Sequence, residues 1–115
     1  MKNNTSAILV DPFNYSIRKV FVSDIEDIRA QIVCDMFTCV GIGDNTLYLD
    51  DEGLINGTER AVRFVDEVYP QPLAGRILIL GNLPNGDSGD CTLSEIEVKS
   101  LVKHCCDILP SEVEF

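Results

Sequence analysis

The chain alternates short apolar blocks with clusters of turn-forming residues, and only a few stretches repeat at helical spacing. Ala7-Ile8-Leu9-Val10 is an unbroken apolar run that reads as a buried strand. Asp11-Pro12-Phe13-Asn14 follows, with Asp and Pro at the first two positions of a type I turn, where Pro presets φ. Ser16 to Val22 is rich in β-branched and aromatic residues and should pair back on the first strand. Ser23-x-x-Glu26 has the form of a capping box: the hydroxyl accepts the Glu26 amide, and the carboxylate reaches back. Ile25, Ile28 and Ile32 then predict one apolar helical stripe running to about Cys34.

Thr38 to Ile42 and Thr46 to Leu49 predict a hairpin around Gly43-Asp44-Asn45, residues that tolerate positive φ. Asp50-Asp51-Glu52-Gly53 breaks the pattern and should be exposed. Glu59 to Val65 fits a strand or a short helix capped by Thr58; we read it as a strand. Tyr69-Pro70-Gln71-Pro72 can be neither helix interior nor central strand, and predicts a stiff extended connector. It leads to Arg76-Ile77-Leu78-Ile79-Leu80, the most apolar segment and the expected central strand. Gly81 to Asp90 reads as a loop. A second capping box, Ser94-x-x-Glu97, opens a helix with Val98, Leu101, Val102 and Cys105 as its buried stripe.

These elements predict an α+β fold: a mixed, mostly antiparallel sheet of about five to six strands, with two helices packed on one face. Ile28, Ile32, Leu78, Leu80, Val98 and Leu101 should then share one core. The 115 residues make a single domain, 1–115, with residues 1–6 flexible and 107–115 a loose tail. A hydrophobic fraction of 45% is ordinary for a globular protein and does not indicate disorder.

Charge changes the picture most. Nineteen acids against nine bases give a net charge of -10. Such a surface repels phosphates and anionic membranes, so direct nucleic-acid and membrane binding are not expected. It either does no more than keep a small protein soluble, or attracts basic surfaces, metal cations or partners that normally bind nucleic acid. The short polar start has no apolar signal region and no run spans a bilayer, which points to the cytoplasm. The five cysteines are then expected to be free thiols.

Catalytic and metal chemistry find little support. Cys34 and Cys39 are spaced C-x₄-C rather than C-x₂-C, and His104-Cys105-Cys106, read as helical, point about 100° apart in turn. Adjacent residues on a helix do not meet, so no cysteine–histidine pair is apparent. The acidic runs around Asp44 to Glu52 and Asp87 to Asp90 lack the EF-hand pattern. Gly41-Ile42-Gly43 and Gly81 to Gly86 lack the helix or the Lys-Ser/Thr of a phosphate loop. No catalytic residues, metal or cofactor are assigned.

Three segments carry a resemblance: Leu9-Val10-Asp11-Pro12, Tyr48-Leu49-Asp50-Asp51-Glu52-Gly53-Leu54, and Tyr69-Pro70-Gln71-Pro72-Leu73-Ala74-Gly75-Arg76. On these the chain resembles, over about residues 7 to 103, a family of small uncharacterised domains found in bacteriophages, plasmids and other mobile elements. Asn56-Gly57 and Arg63-Phe64 fit the same pattern. The family has no established catalytic residues, so none transfer. The resemblance implies a mobile element's accessory protein that interferes with host machinery.

The functional expectation is therefore a non-enzymatic interaction protein. Its acidic face, drawn from Asp44, Asp50, Asp51, Glu52, Glu59, Asp66 and Glu67, would engage a host or defence protein that normally grips nucleic acid. The alternative is a small-molecule or nucleotide-binding module that sequesters a ligand between subunits, with Arg60, Arg63 or Arg76 as anion contacts and Tyr69 as an anchor. Enzyme activity is a distant third, and self-association stays open.

Overall fold

The computed structural model describes residues 4–14, 16–33, 36–50, 60–65 and 73–107. In chain order the elements are β1 (Thr5–Asp11), β2 (Ser16–Val22), α1 (Ile25–Ile32), β3 (Phe37–Ile42), β4 (Asn45–Asp50), β5 (Arg60–Phe64), β6 (Leu73–Ala74), β7 (Ile77–Asn82), β8 (Ser88–Gly89), α2 (Glu95–Leu101) and β9 (Val102–Asp107). The central sheet runs β2-β1-β7-β4-β3, with β8 also paired to β7. A second, smaller sheet runs β6-β5-β9. Every described pairing is antiparallel. The α+β arrangement with a mostly antiparallel sheet is thus as the sequence implies.

β7 is central because Ile77 to Leu80 are apolar at consecutive positions and buried on both sides. Its alternation sorts the interior into two cores. Ile77 and Ile79 join Ile8, Val10, Leu47, Leu49, Val62, Phe64, Leu73 and Val98. Leu78 and Leu80 join Ala7, Leu9, Val22, Ile28 and Ile32. The two helices therefore do not share a face. α1 covers one side through Ile28 and Ile32, while α2 contributes Val98 to the other, beside the small sheet. A strand buried on both sides needs a cover on each, and one helical layer could not supply both. The expected six-residue core accordingly divides into two. Leu101 is only half-buried, against the core that holds Ile77, Ile79 and Val98, and Ile25 at the start of α1 is 52% exposed.

Local chemistry moves several boundaries. Asp24, not Ser23, caps α1: its carboxylate accepts the Asp27 amide at 2.9 Å, while Asp27 accepts the Ser23 amide at 2.8 Å. A carboxylate one position later outcompetes the hydroxyl at the positive end of the helix. Ser94 caps α2 as expected, accepting the Glu97 amide at 3.1 Å. That helix ends at Leu101, and Val102–Asp107 continues as β9 against β5, with Val62 opposite Cys105 and Arg63 opposite His104. The helical stripe extended to Cys105 is thus corrected: β5 needs a partner strand, and pairing overrides a periodicity of only a few residues. The segment read as a loop from Gly81 begins as the end of β7 and turns back as β8. At Gly81 an added Cβ would run into the Asp90 carbonyl oxygen, so glycine is required there. Gly43, at φ 59°, supplies the positive φ of the two-residue β3–β4 turn. Of the start expected to be flexible, Thr5 and Ser6 are instead paired in β1, with Thr5 buried; residues 1–3, the tail from 108 and the 69–72 connector lie outside the described residues.

Candidate functional site

The sheet has two chemically distinct ends. At one end the chain leaves β1 through Asp11 and enters β7 through Arg76. Asp11 is 1% exposed yet fully engaged. Its Oδ1 accepts the Phe13 amide at 3.0 Å and the Asn14 amide at 3.4 Å, and its Oδ2 accepts the Asn14 side-chain amide at 2.7 Å. Arg76 Nε lies 3.3 Å from Oδ2, and the guanidinium sits 4.5 Å from the centre of the Phe13 ring. Burial pushes the Asp11 carboxyl up, but the Asn14 hydrogen bond, the Arg76 charge and the Phe13 amide together outweigh it. The group stays below its ordinary value. The Asp-Pro turn read from sequence is therefore a four-residue clamp tying β1 to β7.

The sign of this shift fixes a pH dependence. A carboxyl depressed in the folded state adds stability above its unfolded pKa and loses it as pH falls through the folded value. Asp11→Asn should cost about 1–3 kcal/mol near neutrality, the range for a lost charge-assisted hydrogen bond. The gap from wild type should narrow once pH drops below about 3.8. Urea melts across that range check it; a gap that stays constant with pH would contradict the assignment.

The opposite end of the sheet gathers carboxylates from separate segments. Asp24 and Glu26 stand at the start of α1, where Ser23, Ile25 and Asp87 join them around an open hollow of about 430 Å³. Asp87 belongs to the β7–β8 hairpin, and Asp44 to the β3–β4 turn. The turn is tied to the same end by the Asn82 amide, which donates to the Asp44 carbonyl at 2.8 Å. Asp24, Glu26, Asp44 and Asp87 are all exposed. Glu26 also pairs with Arg29 at 2.6 Å, one helical turn on.

Of the acidic residues expected to act together, Asp44 and Asp50 are separated by the length of β4, about 20 Å at a strand's rise per residue. Asp50 closes β4 half-buried rather than standing on an exposed tip. Asp51, Glu52, Glu59, Asp66, Glu67 and Tyr69 lie outside the described residues. Arg60 and Arg63 sit on β5, opposite Asp107 and His104 in register. Arg76 is committed to Asp11 and Phe13. Sequence reasoning missed Asp24, Glu26 and Asp87 as companions of Asp44. The available signal was topological: all four fall where β1 begins and β2, β3 and β7 end.

A second hollow, of about 360 Å³, lies between β1, β2 and the start of α2, lined in part by Ile8, Lys19, Cys91, Leu93 and Glu95. Burial pushes the Cys91 thiol up; the Leu93 amide offsets part of this and the Glu97 charge adds to it, which disfavours the thiolate. With His104 on a strand, the helical argument separating it from Cys105 and Cys106 no longer applies. Among the described residues no group of three His, Cys, Asp or Glu side chains is placed to hold a metal ion. Among them, no helix is long and apolar enough to cross a membrane.

Comparison with known proteins places the chain in a family. Residues 1–105 match the model described as "Domain of unknown function (DUF3846)", and the chain belongs to that family. It is also 33% identical over 113 residues to "Uncharacterized protein y4iR" of Sinorhizobium fredii (strain NBRC 101917 / NGR234). That match takes in 92% of this chain but only 65% of the relative, so the chain spans about two thirds of its length. No solved structure matches.

Proposed function

We propose that the protein is a non-enzymatic interaction module of a phage or other mobile element. It acts in the host cytoplasm, and its acidic sheet end engages a host or defence protein that normally grips nucleic acid. The observation carrying this reading is the convergence of Asp24, Glu26, Asp44 and Asp87, from three separate chain segments, on one end of a chain of net charge -10. Duplex DNA presents about one charge per 1.7 Å of axis, and a protein that competes for a phosphate-binding surface must offer carboxylates in a comparable row. Short, hydrogen-bonded segments hold these carboxylates: a helix start, the two-residue β3–β4 turn and the five-residue β7–β8 loop. That keeps the ordering cost of binding low. The anion-sequestering alternative has less support, because Arg76 already neutralises a buried carboxylate.

The test replaces Glu26, Asp44 and Asp87 by Gln, Asn and Asn. Asp24 is left intact because its loss would uncap α1 at a cost of about 1 kcal/mol. The triple variant should fold normally, lower the partner's association rate at low salt and flatten its salt dependence. Binding that responds to neither salt nor the substitutions would reject the acidic-surface reading.

A further inference from the structure

Among the described residues, β2 and β3 are the edges of the central sheet, and they are finished differently. β2 exposes Arg18 and Lys19, and the Lys19 amide donates to the Glu95 carboxylate at 3.0 Å, so α2 occupies part of that edge. β3 has no such protection in its own sequence. Phe37–Ile42 reads Phe-Thr-Cys-Val-Gly-Ile, with no charge and no proline, and its register with β4 runs from Phe37 opposite Asp50 to Ile42 opposite Asn45 without a bulge. Lysine, proline and bulges are the devices that keep an edge from templating a further strand, and β3 uses none of them.

The hairpin fixes which backbone groups face outward. Ile42 and Asn45 flank a two-residue turn, which makes them a hydrogen-bonded pair. The alternation of an antiparallel ladder then commits Thr38, Val40 and Ile42 to β4 and directs the N–H and C=O of Phe37, Cys39 and Gly41 away from it. These three positions are self-complementary about Cys39. A second β3 laid antiparallel in phase places Cys39 opposite Cys39 and Phe37 opposite Gly41. Gly41 fits that role: an added Cβ there would meet nothing within 4 Å, leaving room for the ring of the opposing Phe37. Phe37 stands edge-on to Tyr48, ring centres 5.3 Å apart, on the same side of the sheet as Cys39. Charge also selects the occupant. Two copies at -10 each repel, so they can meet only through a stretch without carboxylates, and residues 36 to 43 carry no charge. A basic partner would find nothing to pair with there.

We propose that the protein self-associates as a two-fold dimer through antiparallel β3–β3 pairing, joining two central sheets into one and bringing the two Cys39 residues face to face. This goes beyond the acidic-end reading and stands independently of it. Directly opposed residues in a hydrogen-bonded pair have Cα atoms about 5.5 Å apart, within the span a disulfide bridges.

Sedimentation of the reduced protein over a concentration series, together with thiol cross-linking by diamide, tests the pairing. Wild type should rise to twice the monomer mass. Diamide takes two protons and two electrons from the opposed thiols, becoming the hydrazine as one S–S bond forms. Tandem mass spectrometry should then find a peptide joined to itself through Cys39. Thr38→Lys, at an exposed position whose backbone already bonds β4, should keep the wild-type circular dichroism yet sediment as a monomer at concentrations where wild type is dimeric. Cys39→Ala should still dimerise but lose the covalent product. A wild type that stays monomeric at every concentration, or a covalent product formed only through other cysteines, would overturn the proposal. So would a dimer indifferent to Thr38→Lys.

Discussion

Phe64→Ala is expected to cost about 3–5 kcal/mol, the range for emptying a fully buried aromatic site. Phe64 is 0% exposed although β5 belongs to the small sheet rather than the central one. It sits at the register shift between Arg63 and Phe64, where β5 meets β9, and packs with Ile77, Ile79 and Val98. Its loss would remove one of the three buried side chains, with Val62 and Leu73, that the small sheet contributes to the shared core. Urea melts should show a lower midpoint with an unchanged slope. Phe21→Ala is the control: Phe21 is 57% exposed on an edge strand and should shift stability by no more than about 0.5 kcal/mol. A Phe64→Ala loss below about 1 kcal/mol would mean that the small sheet does not cover this face.

Leu78→Ala should cost about 2–5 kcal/mol by opening a cavity under α1. Leu78 is 0% exposed and packs with Ile28 and Ile32. Ile25→Ala on the same helix should stay within about 0.5 kcal/mol, because Ile25 faces solvent despite its place in the sequence stripe. Leu78 and Phe64 belong to different clusters and share no buried neighbour, so the double variant should lose the sum of the single losses to within about 0.5 kcal/mol. Strong coupling would indicate one continuous core. A Leu78→Ala loss under about half a kilocalorie per mole would refute the placement of α1.

Much of this arrangement is legible in the sequence for local reasons. The β2 boundaries, the β3–β4 hairpin, the strand reading of β5 and the centrality of β7 follow from periodicity and turn residues close together in the chain. What the sequence hides is non-local. Ile28 and Val98 lie on equally apolar helical stripes, and nothing near either says which face of β7 it will cover; pairing of β5 with β6 and β9 decides that. The same pairing turns Val102–Asp107 from expected helix to strand. Asp24 takes the cap that Ser23-x-x-Glu26 offers in the sequence, because its carboxylate is favoured at the positive end of the helix. At the acidic end, Asp44 was visible as a loop tip, but its companions come from elements 20 and 43 residues away in the chain, a distance only topology closes. Asp50, six residues off in sequence, lies at the far end of a strand.

The most direct test of the acidic-end account is competition. The wild-type protein and the Glu26→Gln, Asp44→Asn, Asp87→Asn variant are immobilised separately, exposed to host lysate at low salt, and eluted first with duplex DNA and then with salt. Dimerisation through β3 is untouched by these substitutions, so its success or failure does not bear on the outcome. The account predicts that wild type retains a nucleic-acid-binding protein that duplex DNA releases, and that the variant retains several-fold less of it. Equal retention by both proteins, or a retained partner that duplex DNA cannot displace, would contradict it.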